Sequence, residues 1–281
     1  MSSNIIQRNE VKLSSSQIKM LISGWGEEAI ENSVVEKITY LSDGLKVKGY
    51  IAYPKNIPAE KIPCIIWNRG GYENKGAIDH FTARGMFGNI ASWGYMVFTS
   101  QYRGNDGGEG KEQIGGDDVN DILNLKPLAD EFSFADRDKW GIEGWSRGGM
   151  MSYLVLLKNP DFKCAVITGG LSNIKQYAES SERLAPYYKE MLGEEKYLEE
   201  LEKRTIISKA EKLPDIPYLL MHGGADETVP VTQSIEMAKK FNNLKFTYRL
   251  VIFEKGDHYL KNHRAEVSEL TKNWFDKYLK K

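Results

Sequence analysis

Short apolar runs alternate along this chain with stretches whose apolar residues recur every three or four positions, the signatures of buried strands and one-sided helices. Cys64 to Asn68, Tyr95 to Ser100, Lys139 to Glu143, Cys164 to Thr168, Tyr218 to His222 and Phe246 to Phe253 read as strands. Between them, Phe81 to Trp93, Gly115 to Glu131, Gly149 to Leu157 and Val231 to Phe241 read as helices. A last helix near Ala265 to Leu279 places Val267, Leu270, Trp274 and Tyr278 on one face. This alternation predicts an α/β fold with a mostly parallel central sheet and helices on both faces. Ahead of it, Val34 to Tyr40 and Leu45 to Tyr53 flank Ser42-Asp43-Gly44 and predict an antiparallel hairpin, because Asp-Gly favours the tight turn. Residues 1–33 read as an N-terminal extension packing loosely over a domain spanning 34–281, in which a polar helical stretch at about 172–212 resembles a cap.

Composition narrows the function classes. The chain has 281 residues, with Lys+Arg 38 against Asp+Glu 39 and a net charge of -1. No overall field therefore draws it to nucleic acid or to an anionic membrane. No run of about 18 apolar residues could span a bilayer, and the start lacks the basic and apolar regions of a secretory signal. Cys64 and Cys164 each lead into an apolar run and read as buried strand thiols rather than a disulfide. A cytoplasmic address is expected.

The candidate chemistry centres on Gly144-Trp145-Ser146-Arg147-Gly148, which sits between a predicted strand and a predicted helix. That is the setting of a nucleophile elbow: a tight turn presents the serine hydroxyl, and glycines two residues either side leave it room. A serine needs a base, and the base needs a carboxylate to hold its tautomer. Strand Tyr218 to His222 leads to Asp226, and strand Phe246 to Phe253 leads to His258, so both groups follow strands late in the chain. Groups at the carboxyl ends of such strands converge on one edge of the sheet. No metal-ligand spacing such as H-E-x-x-H occurs, and neither metal nor organic cofactor is expected.

With these residues in place, the chain from about Val34 onward resembles the catalytic domain of the prolyl oligopeptidase family of serine peptidases, an α/β-hydrolase. The resemblance rests on Ser42-Asp43-Gly44 with Gly49-Tyr50, on Tyr102-Arg103-Gly104 with Asp117-Asp118, and on Gly141-Ile142 with the elbow. It continues through His222-Gly223, Asp226 and Val229-Pro230, and ends at Gly256 with His258. Ser146 and Asp226 lie 80 residues apart and Asp226 and His258 lie 32 apart, as in that domain. The resemblance implies Ser146, Asp226 and His258 as nucleophile, acid and base. It also implies an oxyanion hole of backbone N–H groups from Gly70, Gly71 and Tyr72 and from Arg147. There are two departures. Only about thirty residues precede the hairpin, so the propeller of the larger peptidases is not expected. Arg69 stands where family members often carry Tyr or His, so its cation is a candidate aid to the oxyanion.

Rival readings attach to several of these residues. Asp226 could cap the helix that follows, with Asp215 and Asp257 as other candidate acids, and His263 rivals His258 as base. His222 reads as a packed histidine at the sheet edge and His80 as a surface residue. Arg69 could instead pair with Glu73 or Glu109, and Arg147 could enter the pocket or form an ion pair nearby. Glu179, Glu182 and Arg183 read as a solvated helical face, with pocket lining as the alternative. The expected function is cleavage of peptide or aminoacyl amides in small substrates through an acyl-enzyme. A carboxylesterase acting on small esters, or an inactive binding protein on the same fold, are the alternatives.

Overall fold

The computed structural model describes residues 4–179 and 184–280. Its nine strands are β1 Ile5–Glu10, β2 Ser33–Ser42, β3 Leu45–Pro54, β4 Ile62–Asn68, β5 Met96–Ser100, β6 Ala135–Trp145, β7 Cys164–Thr168, β8 Tyr218–Gly223 and β9 Tyr248–Phe253. They form one sheet in the order β1-β2-β3-β5-β4-β6-β7-β8-β9. The first three pairings (β1 with β2, β2 with β3, β3 with β5) are antiparallel, and every pairing from β5 to β9 is parallel.

Both faces of the sheet are covered, which explains why the parallel strands read as unbroken apolar runs. Successive residues point to opposite sides. Ile66, Ile167 and Leu220 join the core beneath α5 Asp118–Leu123, α6 Arg147–Lys158 and α10 Thr232–Leu244. Ile65, Val166 and Leu219 join the other core, beneath α4 Gly88–Ser92 and α11 Arg264–Leu279. Each such side chain is fully buried and contributes roughly 1.5–3 kcal/mol. Cys64 and Cys164 are free buried thiols in β4 and β7.

Three boundaries differ from the sequence pattern. Residues 5–10 are not a loose extension. They pair with β2 as the first strand of the sheet, Arg8 opposite Ile38 and Glu10 opposite Glu36. Only Ile5 of that strand is buried, so there was no alternation to read; backbone pairing alone makes it a strand. Helices α1 Ser15–Trp25 and α2 Glu28–Glu31 follow, the first opened by a Ser14–Gln17 capping box. Trp25 then packs edge-on against Phe81. Second, the predicted helix at 81–93 is α3 His80–Thr82, a π-helical turn Ala83–Phe87, and α4. Third, β6 begins at Ala135 and shifts register against β4 between Pro63 and Cys64, where the polar residues Arg137, Asp138 and Lys139 bulge out. Helices α7 Ile174–Glu179, α8 Leu184–Leu192 and α9 Tyr197–Arg204 fill the polar stretch after β7. Among the described residues, no helix is long and apolar enough to cross a membrane.

Candidate active site

Strand β6 passes into α6 through Ser146, whose backbone sits at φ 58 and ψ −125. A non-glycine residue rarely adopts this conformation, and its cost is offset by the structure that encloses the turn. The Ser146 N–H donates to the Thr168 carbonyl at 2.8 Å, and its carbonyl accepts from Gly149 N–H at 2.9 Å. The flanking glycines are required by space. A Cβ on Gly144 would collide with the Gly148 carbonyl, and one on Gly148 with the Asn68 carbonyl.

The three chain-distant residues meet at this turn. His258 Nε2 lies 3.0 Å from Ser146 Oγ, and His258 Nδ1 lies 2.7 Å from Asp226 Oδ2. Asp226 Oδ1 accepts from Thr228 N–H at 2.9 Å and Val229 N–H at 2.8 Å. Burial alone would raise the Asp226 pKa, but hydrogen bonds from His222, His258 and the Val229 amide prevail and hold it well below the usual carboxylate range. With Asp226 ionised, His258 Nδ1 carries the proton facing it and Nε2 is left to accept from the serine hydroxyl. The two loops are clamped together, since Ala225 N–H donates to the Gly256 carbonyl at 3.0 Å and Gly224 N–H to Phe253 at 2.8 Å. The Trp145 indole N–H reaches the His258 carbonyl at 3.2 Å.

The rival groups lie elsewhere. Asp257 accepts from Lys261 N–H, Asp215 is exposed, and His263 lies tilted against Phe253 with Glu266 at 4.0 Å. Asp226 does not cap α10, whose N-cap is Val231 without a side-chain bond. His80 is exposed beside Tyr50, and Glu179 is exposed on α7, while Glu182 and Arg183 lie outside the described residues.

The loop after β4 approaches Ser146 with its backbone: a Cβ on Gly70 would stand 3.0 Å from Ser146 Cβ. Gly71 turns the loop at φ 69, and Tyr72 bridges back to Lys75. Arg69 departs from the expected oxyanion role. Its side chain is about 1% exposed and lies beneath the loop, donating to the carbonyls of Gly70 at 3.2 Å, Glu73 at 3.0 Å and Gln101 at 2.8 Å. Burial first, and then the neighbouring Arg147 cation, lower its pKa to about 10. Its carboxylate partner is Glu112 at 3.5 Å rather than Glu73 or Glu109. A guanidinium committed to three loop carbonyls shapes the loop from behind and does not face Ser146.

Of the two readings of the Arg147 side chain, the nearby ion pair is the one present. Its guanidinium is buried 2.7 Å from Glu112 Oε1 and over the Tyr102 ring. Among the described residues none of its nitrogens has a hydrogen-bond acceptor in line, and none is open to solvent. Only its backbone N–H, at the first position of α6, belongs to the unpaired amides of a helix start.

Glu112 carried no sequence signal, and Tyr102 entered only through the family resemblance. Glu112 also accepts from Glu73 N–H, so one carboxylate ties the glycine loop to the start of α6. Tyr102 donates its hydroxyl to the Arg69 carbonyl at 3.0 Å and is itself placed by Arg103, whose guanidinium grips Asp121 at 2.8 Å. Both lie in a glycine-rich polar stretch, where neither periodicity nor spacing marks a site. Beside the loop, Tyr72 packs against Tyr187 of α8 at 4.6 Å between ring centres, and both line a cleft of about 630 Å³.

Comparison with known proteins agrees with this geometry. The profile of the Prolyl oligopeptidase family matches residues 83–281. The peptidase YtmA of Bacillus subtilis is 31% identical over 83% of this chain and 90% of its own length. The chain belongs to the prolyl oligopeptidase family of serine peptidases. Mouse prolyl endopeptidase FAP is 28% identical over 55% of this chain, though over only 20% of that protein. Among solved structures, the acylaminoacyl peptidase of Pyrococcus horikoshii aligns with TM-score 0.78 at 24% identity. That match covers 91% of this chain and 43% of the other, and it establishes the α/β-hydrolase fold. An acylaminoacyl peptidase in complex with Z-Gly-Gly-Phe-chloromethyl ketone aligns at TM-score 0.77 and 25% identity, covering 89% of this chain and 42% of that one. The chain thus spans nearly all of the Bacillus relative but under half of these solved peptidases.

Proposed function

We propose that this prolyl oligopeptidase family member hydrolyses the amide bonds of short peptides, with Ser146 as nucleophile, His258 as general base and acid, and Asp226 as the group that orients His258. The observation that carries this reading is the continuous line from Ser146 Oγ to His258 at 3.0 Å and on to Asp226 at 2.7 Å, at an elbow overhung by Gly70. His258 Nε2 takes the serine proton as Oγ attacks the carbonyl. The amides of the Gly70–Tyr72 loop and of Arg147 receive the oxyanion, a contribution of about 3–4 kcal/mol per donor. Collapse releases the amine, protonated by His258, and water attacks the acyl-enzyme by the same route. We place the protein in the cytoplasm, in keeping with its two unpaired buried thiols, and with neither nucleic acid nor membrane as partner.

A paired kinetic assay tests the proposal, with aminoacyl and dipeptidyl p-nitroanilides set against p-nitrophenyl acetate and butyrate. Wild type is expected to cleave anilides. Ser146→Ala is expected to lose all turnover while its thermal midpoint stays within about 2 °C. Cleavage confined to esters, or turnover that survives in Ser146→Ala, overturns it.

A further inference from the structure

His222 is wholly buried at the end of β8, and the mechanism above does not use it. Its Nε2 lies 2.9 Å from the Val229 carbonyl and 3.2 Å from Asp226 Oδ2, and its Nδ1 lies 2.7 Å from Ser234 Oγ on α10. A carbonyl and a carboxylate can only accept, so Nε2 must carry a proton and is the donor to both. Ser234 is left to satisfy Nδ1, by donating its hydroxyl to a neutral ring or by accepting from a charged one. Either way the ring is fixed from two elements, α10 and the Val229 loop, with Nε2 bonded to the Val229 carbonyl and 3.2 Å from the oxygen that also serves His258.

We propose that His222 is a positioning residue for the proton transfer at Ser146: it holds Asp226 Oδ2 in place and draws off part of its negative charge. The inference rests on the Ser146–His258–Asp226 reading. Asp226 Oδ2 faces two imidazole donors, and Oδ1 faces two backbone donors. The carboxylate is thereby locked in rotation, and its pull on the His258 proton is moderated. Removing the His222 donor leaves that charge to His258 alone, so His258 holds its proton more strongly. The base is then occupied up to a higher pH, and the oxygen it leans on has lost one of its two ring partners.

The test is the pH profile of kcat/KM for a p-nitroanilide substrate with His222→Leu, His222→Gln and Ser234→Ala. His222→Leu should lower kcat by about tenfold, a small part of the roughly 10²–10⁴ that a general base supplies. KM should hold, and the acid limb should move to higher pH. Ser234→Ala, which removes only the support at Nδ1, should move the limb the same way by less. His222→Gln, whose amide can donate to the same oxygen, should restore part of kcat. A profile for His222→Leu that overlays wild type overturns the inference. So does a loss of kcat that tracks thermal stability with the limb unmoved in all three variants. Turnover that survives in Ser146→Ala overturns the underlying reading as well, whereas Ser146-dependent turnover indifferent to His222 overturns this inference alone.

Discussion

Asp226 and Glu143 both have side chains shut away from water near the elbow, yet the pKa of one is held low and that of the other is pushed up. Asp226 meets four donors, two imidazoles and two backbone amides, and its pKa falls well below the usual range. Glu143, three residues before Ser146 on β6, lies opposite Trp67. The indole N–H is the one group opposing burial, which pushes the Glu143 pKa up to about 7, and among the described residues Oε2 has no partner. The difference is donor count, not depth. A loop that turns its amides inward can keep a charge in the interior, whereas a strand has already spent its amides on its neighbours.

The most damaging way to break the contrast is Asp226→Asn. The amide can present its NH₂ to His258 Nδ1 and reverse the tautomer, so kcat should fall by about 10⁴ with the fold intact, read by kinetics beside a melting curve. Next comes Glu143→Gln. The unfolded carboxyl releases its proton near pH 4.5 and the folded one near 7, so between those values the folded state binds more protons and stability falls as pH rises. Removing the titration should make urea stability level from pH 5 to 8, with a gain at pH 8 of about 3 kcal/mol and kcat little changed. Asp226 works in the opposite sense: its stabilisation is complete above the ordinary carboxylate range and is lost as pH falls through its lowered value. The smallest effect concerns a cation. Arg69 satisfies its donors on three loop carbonyls, and Arg69→Lys, which cannot reproduce that fork, should lower kcat by roughly tenfold. The unchanged kcat expected for Glu143→Gln serves as its control.

What the sequence made legible was whatever repeats or stands at a fixed spacing. The parallel strands showed as apolar runs because both faces are buried. Ser146, Asp226 and His258 showed because each follows a strand at its carboxyl end. Strand β1 was hidden because only Ile5 faces a core, and the bulge at 137–139 because pairing is set by the neighbouring strand. The partner of Arg69 and the direction of Arg147 were hidden for a single reason. A sequence shows that a cation adjoins the site but not which way it turns, and Glu112, 35 residues before Arg147, decides that.

The order of the chain has a consequence for how this peptidase is made. Ser146 is in place once β6, α6 and β7, which supplies the Thr168 carbonyl, have formed, but the base of the proposed mechanism arrives 112 residues later, on the loop after a strand that borders only β8. While the chain is still leaving the ribosome, the serine stands exposed without anything to take its proton, and cannot attack the unfolded segments around it.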